Sequence, residues 1–140
     1  MSVIEIFTSL SQNRIIINIV TPIFLINLGE TNMERLQETG AMMGRLMKDM
    51  PDQLKTFGAF VKGAEADGAL DEKTKHLMLL ALGVAFQCSW CIAVHTKGCV
   101  DAGSNKEEIL EAAMMAVVMG GGPKLMYIEV VYEELDKYFK

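Results

Sequence analysis

The sequence predicts an all-α fold, and three observations carry that expectation. Helix-start signatures stand ahead of successive apolar runs, at Thr31, Asp71 and Ser104. Apolar residues recur at helical spacing within those runs. After residue 31 no stretch shows the strict apolar/polar alternation of a half-buried strand. The chain has 140 residues, of which 51% are apolar and 22% charged, with a net charge of −5. That is enough for one domain with a sizeable core, and too apolar for a disordered chain. Three cysteines do not make a disulfide scaffold. The acidic balance argues against a phosphate-binding surface, so nucleic acid is not an expected partner. A mean hydropathy of +0.25, with 11 Met, is high for a soluble monomer of this size. Either a membrane segment raises the average, or the domain hides more surface than one copy can cover.

The membrane candidate is the run 15–28, IIINIVTPIFLINL. A spanning helix needs about 20 apolar residues. This run is shorter, contains Asn18 and Asn27, and has Pro22 in its middle. A secretory signal is not expected either, because Glu5 comes early, Arg14 stands alone and no small-residue cleavage site follows. Residues 31–140 carry 12 of the 13 basic and 16 of the 18 acidic residues. Thr31 and Glu34 form a T-x-x-E capping box around Met33. Residues 1–30 are therefore expected to be a dispensable apolar extension, and residues 31–140 the functional domain.

The helices of that domain follow in order. Pro51 suits a first helical turn, and Leu54, Phe57, Phe60 and Val61 share one face beyond it. Gly63 and Ala66-Asp67-Gly68 then punctuate the chain. Asp71 is the expected N-cap of a helix over 72–86 that is apolar nearly all round and so buried on most sides. Gln87 ends it. A helix over 88–102 follows, with Gly103 as its C′ residue. Ser104 and Glu107 read as a capping box for a helix over 105–119, which also carries a long apolar run. Gly120-Gly121-Gly122-Pro123 breaks that helix, and a last one runs from about 124 to 138.

The chemistry is concentrated in Cys88-Ser89-Trp90-Cys91-Ile92-Ala93-Val94-His95. On a helix, Cys88, Cys91 and His95 share one stripe, and Cys99 extends it. A redox role needs a thiol of lowered pKa. Cys88 lies at a helix start, where unpaired N–H groups favour a thiolate. His95, one turn beyond Cys91, can take its proton. The pattern C-x2-C-x3-H-x3-C also offers zinc-binding atoms. However, Cys88 and Cys99 are separated by about 16 Å of intact helix at ~1.5 Å per residue. They cannot both reach one ion; a site of Cys88, Cys91 and His95 with a ligand from outside the helix is the remaining metal arrangement, and the expectation is a site without metal. Cys99 reads as a small core residue and Trp90 as a packing residue.

These residues resemble the carboxymuconolactone decarboxylase-like superfamily, specifically its AhpD-like (alkylhydroperoxidase D) branch. The resemblance rests on Cys88-x-x-Cys91-x-x-x-His95 behind an apolar helix, on Gly103, on the Glu107-Glu108-Ile109 helix start and on the apolar helix to Gly121. It covers about residues 33–138. It implies an all-helical bundle that assembles as a homo-oligomer, a trimer or hexamer. It also implies hydroperoxide reduction by the dithiol, with an external lipoyl- or thioredoxin-type reductant and no tightly bound cofactor. By that resemblance Cys91 attacks the peroxide, Cys88 resolves, and His95 relays the proton. The helix terminus alone favours Cys88 as the thiolate, whereas His95 favours Cys91. One departure stands out: the family's Glu, about twelve residues before the first cysteine, is replaced here by His76. His76 can still relay protons. If the helices at 76 and 95 pack antiparallel, His76 returns to the level of His95 or Cys99.

Two other functions fit parts of the pattern. The superfamily's decarboxylase-type lyases do not use the C-x-x-C pair. A non-enzymatic redox adaptor or sensor would cycle the disulfide without turning over peroxide. A working dithiol without a secretion signal implies a reducing cytoplasm. Met42-Met43 and Met114-Met115 are candidate packing at a subunit interface.

Overall fold

The computed structural model describes residues 34–140. The expected extension 1–30 and the Thr31 capping box lie outside the described residues. The described chain is helical throughout: α1 (Glu34–Asp49), α2 (Pro51–Glu65), α3 (Glu72–Ala85), α4 (Ser89–Asp101), α5 (Lys106–Gly120), the single turn α6 (Gly122–Leu125) and α7 (Ile128–Leu135). No described helix is long and apolar enough to cross a membrane.

The core is the junction of α3, α4, α5 and α7. Leu80 and Val84 of α3 meet Ile92 and Cys99 of α4, Ile109 and Ala113 of α5, and Val131 and Leu135 of α7, all fully buried. Each aliphatic side chain of this size contributes about 1.5–3 kcal/mol on burial. The α1–α2 pair lies against this core more lightly, and α2 buries no residue completely. One polar clamp ties α1 to α7. Arg35 reaches the fully buried Glu134 at 2.9 Å and Glu133 at 2.8 Å, and Lys137 also pairs with Glu134.

Local rules explain the helix boundaries, with some differences from expectation. Asp71 caps α3 by accepting from the Thr74 N–H at 2.7 Å. The cap of α5 is Asn105, not Ser104. Its side chain accepts from the Glu108 N–H, and the Glu108 carboxylate accepts from the Asn105 N–H. The shift by one residue follows from the end of α4. Gly103 takes φ +81°, so the Gly103 N–H donates to Val100 and the Ser104 N–H to Cys99. Ser104 is thereby committed to closing α4, and the next cap falls to Asn105. Gly63 does not interrupt α2, which runs on to Glu65. The last helix divides, because Gly121 at φ 66° and Pro123 start a separate turn before α7.

The apolar helices are less covered than their sequences suggest. In α3, Leu82 and Phe86 at its C-terminal end are 47% and 79% exposed. In α5, Val118 and Met119 are 73% and 88% exposed. Among the described residues, much of the apolar side-chain surface of these two helices thus lies on the outside of a single chain.

Candidate functional site

The joint between α3 and α4 sets the dithiol. Gln87 takes φ 58°, an uncommon conformation for a side-chain-bearing residue. It lets the Gln87 N–H donate to Val84 and the Cys88 N–H donate to Gly83, closing α3. Cys88 is also the N-cap of α4, where its Sγ accepts from the Cys91 N–H at 3.2 Å. One residue therefore ends one helix and begins the next. Cys88 and Cys91 are joined by a disulfide, with their Cα atoms 5.2 Å apart. When the bond is open, the same N–H groups favour a thiolate at the helix start.

Antiparallel packing of α3 on α4 brings His76 opposite His95, with ring centroids 5.8 Å apart. The His76 ring lies directly on α4 at Gly98. A Cβ placed at Gly98 would come 2.5 Å from His76 Nδ1. Glu72, one turn before His76, holds Oε1 at 3.7 Å from its Nε2. Desolvation pushes the His95 imidazole down to about 4, with the neighbouring His76 adding to the effect. His95 is therefore neutral across the physiological range. The Nδ1 atoms of both rings are buried without a hydrogen-bond partner among the described residues.

Glu65, the last residue of α2, completes this group. One carboxylate oxygen of Glu65 and one nitrogen of each ring all lie within 4.8 Å of one another. The loop after α2 fixes that end of the helix. Lys75 donates to the Ala66 carbonyl, and Asp67 accepts from the Glu72 N–H. Sequence reasoning missed Glu65 and considered Glu72 as the neighbouring acid. The available signal was its place as the last residue before the Ala66-Asp67-Gly68 break, eleven residues before His76.

These groups border a cavity of about 840 Å³ between α1–α2 and α3–α4. Met42, Met43, Phe57, Phe60, Val61, Leu79 and Val94 make most of its wall apolar. Cys91, His76, His95 and Glu65 supply its reactive side. Cys91 lines the cavity and Cys88 does not. Trp90 is 53% exposed on the cavity wall and donates through Nε1 to Glu38 at 2.7 Å, so it is not the packing residue expected. Met42 and Met43 likewise face the cavity. Cys99 is fully buried in the core, and desolvation pushes its thiol up to about 12, which leaves it unreactive.

This helical arrangement recurs in known proteins. The model of the carboxymuconolactone decarboxylase family matches residues 51–132, and the chain belongs to that family. A crystal structure of a family member from Legionella pneumophila, in its apo form, is 38% identical with a TM-score of 0.74. That match covers 78% of this chain and 97% of the other. A family protein from Thermotoga maritima, for which a part in the antioxidative response has been suggested, is 27% identical with a TM-score of 0.65. It covers 74% of this chain and 89% of its own. Among sequences, an uncharacterized protein of the cox locus of Paracoccus denitrificans is 38% identical over 81 residues, 58% of this chain and 73% of that protein. An uncharacterized protein of Cupriavidus necator is 32% identical over 93 residues, 66% of this chain and 82% of its own.

Proposed function

We propose that this chain is a thiol-dependent peroxidase of the AhpD-like type, which reduces hydroperoxides with the Cys88–Cys91 dithiol. The observation that carries the reading is the placement of Cys91. It joins a disulfide at a helix start, faces an apolar cavity, and has a neutral histidine one turn away. In the first step His95 accepts the Cys91 thiol proton, and the thiolate attacks the outer oxygen of ROOH. The O–O bond breaks, Cys91 becomes a sulfenic acid, and the alkoxide leaves as ROH with the proton from His95. In the second step the Cys88 thiol condenses with the sulfenic acid, forming the disulfide and releasing water. An external dithiol then reduces the disulfide by thiol–disulfide exchange and leaves oxidised. A lipoyl- or thioredoxin-type donor fits that role.

In this reading His76 stands where the family pattern has Glu, and Glu65 supplies a carboxylate beside it from another helix. A dithiol that must be kept reduced between turnovers supports a reducing cytoplasm as its compartment. The exposed apolar faces of α3 and α5 support assembly with further copies of the chain, as a trimer or hexamer.

The deciding experiment follows hydroperoxide consumption with dihydrolipoamide as reductant. Wild type is expected to turn over. Cys88→Ser is expected to consume about one equivalent of peroxide and stop, and Cys91→Ser to consume none above the uncatalysed background. A Cys91→Ser variant working at the wild-type rate would refute the assignment. Absence of turnover in wild type, with the disulfide still cycling, would favour a redox adaptor.

A further inference from the structure

We propose that Glu65, His76 and His95 form a binding site for a divalent transition-metal ion of the zinc class. The donors come from three separate helices, α2, α3 and α4, and their ligand atoms already lie within 4.8 Å of one another. Zinc takes oxygen and imidazole nitrogen at about 2.0–2.2 Å, so the three ligand atoms draw closer together when they close on one ion. Two imidazoles and one carboxylate are the protein ligands of one common zinc arrangement, in which water takes the fourth position. Here the open side faces the cavity. Two imidazoles also select against magnesium and calcium, which take oxygen ligands.

Several observations point to a ligand between these groups. Both rings are held in place: His76 is 9% exposed and pressed against Gly98, and His95 is half-buried. Each has a buried Nδ1 that no protein group satisfies among the described residues. Leaving such atoms unpaired is unfavourable, and coordination is one way of satisfying them. Glu72, at 3.7 Å from His76 Nε2, is placed as the carboxylate that commonly orients a metal-bound histidine from outside. Cys88 and Cys91 are not ligands in this proposal, because the disulfide engages both sulfurs.

The site shares His95 with the peroxidase reading, so a bound ion and proton acceptance by that ring exclude one another, and metal binding is tested without measuring turnover. The chain has only two histidines, and both are in the proposed site, so the imidazole NMR spectrum of untagged full-length protein reports on it directly. With the disulfide closed, one equivalent of Zn2+ is expected to move the ring signals of both histidines together. Co2+ is expected to bind at one per chain with visible absorption bands that Zn2+ abolishes. Glu65→Gln, nearly isosteric, should weaken Co2+ binding at least tenfold, and His76→Ala should remove it. Cys88→Ser/Cys91→Ser should bind as wild type does. The proposal is overturned if neither or only one ring responds in the wild-type protein. It is equally overturned if Glu65→Gln binds unchanged while circular dichroism shows it folded, or if binding disappears in the double serine variant. Absence of peroxide turnover in the metal-free protein, with metal binding intact, would count against the peroxidase reading alone.

Discussion

Gly98 is the position where His76 meets the backbone of α4, and replacing it with Ala isolates that contact. In an exposed helix interior, Gly→Ala stabilises by about 0.5–1 kcal/mol, because Ala loses less backbone entropy on folding. At Gly98 a Cβ would stand 2.5 Å from His76 Nδ1, 2.6 Å from Cε1 and 2.9 Å from Cγ. All three distances are below contact, and the atoms belong to a ring already enclosed. The ring must leave its rotamer or α3 must move from α4, at a cost of about 1–3 kcal/mol for overpacking. Set against the propensity gain, a net destabilisation of roughly 0.5–2 kcal/mol is expected. Gly58→Ala is the matched control, because a Cβ there meets nothing within 4 Å. Thermal and urea unfolding of the two variants beside wild type should move in opposite directions, with Gly58→Ala more stable. The His76 ring NMR signal should shift in Gly98→Ala and stay in place in Gly58→Ala. If both variants gain stability equally and the ring signal is unmoved, the His76–Gly98 contact described above is wrong.

Three further expectations follow from the same kind of reasoning. Arg35→Ala leaves Glu134 fully buried with Lys137 as its remaining cation. A loss of roughly 1–3 kcal/mol in urea unfolding is expected, and an unchanged midpoint would show that the α1–α7 clamp contributes nothing. His95 refuses, in the folded state, a proton that the unfolded chain takes up below about pH 6.5. Its folded value is about 4, so stability should fall as pH drops from 6.5 toward 4. At about 1.4 kcal/mol per unit, reduced because the ring is only half-buried, the loss is roughly 2 kcal/mol. His95→Gln should flatten that part of the pH–stability curve, and an identical slope in the variant would exclude His95 as its source. Light scattering after size exclusion should give a mass of several chains, and Val118→Glu with Met119→Glu on the exposed face of α5 should lower it. A wild-type monomer would show that the apolar faces are not subunit contacts.

The sequence was most legible where one residue decides a local outcome. Asp71, Pro51 and Gly103 each act within a few residues of themselves, and their helices begin and end where those residues direct. The spacing of Cys88, Cys91 and His95 was equally readable, because one helix holds them. The cap at Asn105 was missed because its choice depends on how α4 finishes, not on α5 alone. Glu65 was hidden for a different reason. Its neighbours His76 and His95 belong to other helices, and their meeting depends on a loop tied by Asp67 and Lys75. The pairing of Arg35 with Glu134, far apart in the chain, leaves no periodic trace either. The reading of α3 and α5 as buried on most sides does not hold for the single chain. Composition reports how apolar a helix is but not which neighbours cover it, and Phe86 and Met119 are left exposed.

The shared residue at the α3–α4 joint has a mechanical consequence. Cys88 closes one helix and opens the next, with only Phe86 and Gln87 between the end of α3 and itself. A disulfide that bridges distant segments changes the shape of a molecule when it opens, and so can carry a message. Here both sulfurs sit within a single helical turn whose ends are already held by backbone hydrogen bonds. Opening or closing the bond has no slack to release and no distant element to free. Under the proposed function, electrons would cycle through this turn while the rest of the molecule stays silent, which suits a reagent that is used repeatedly better than a reporter of redox state.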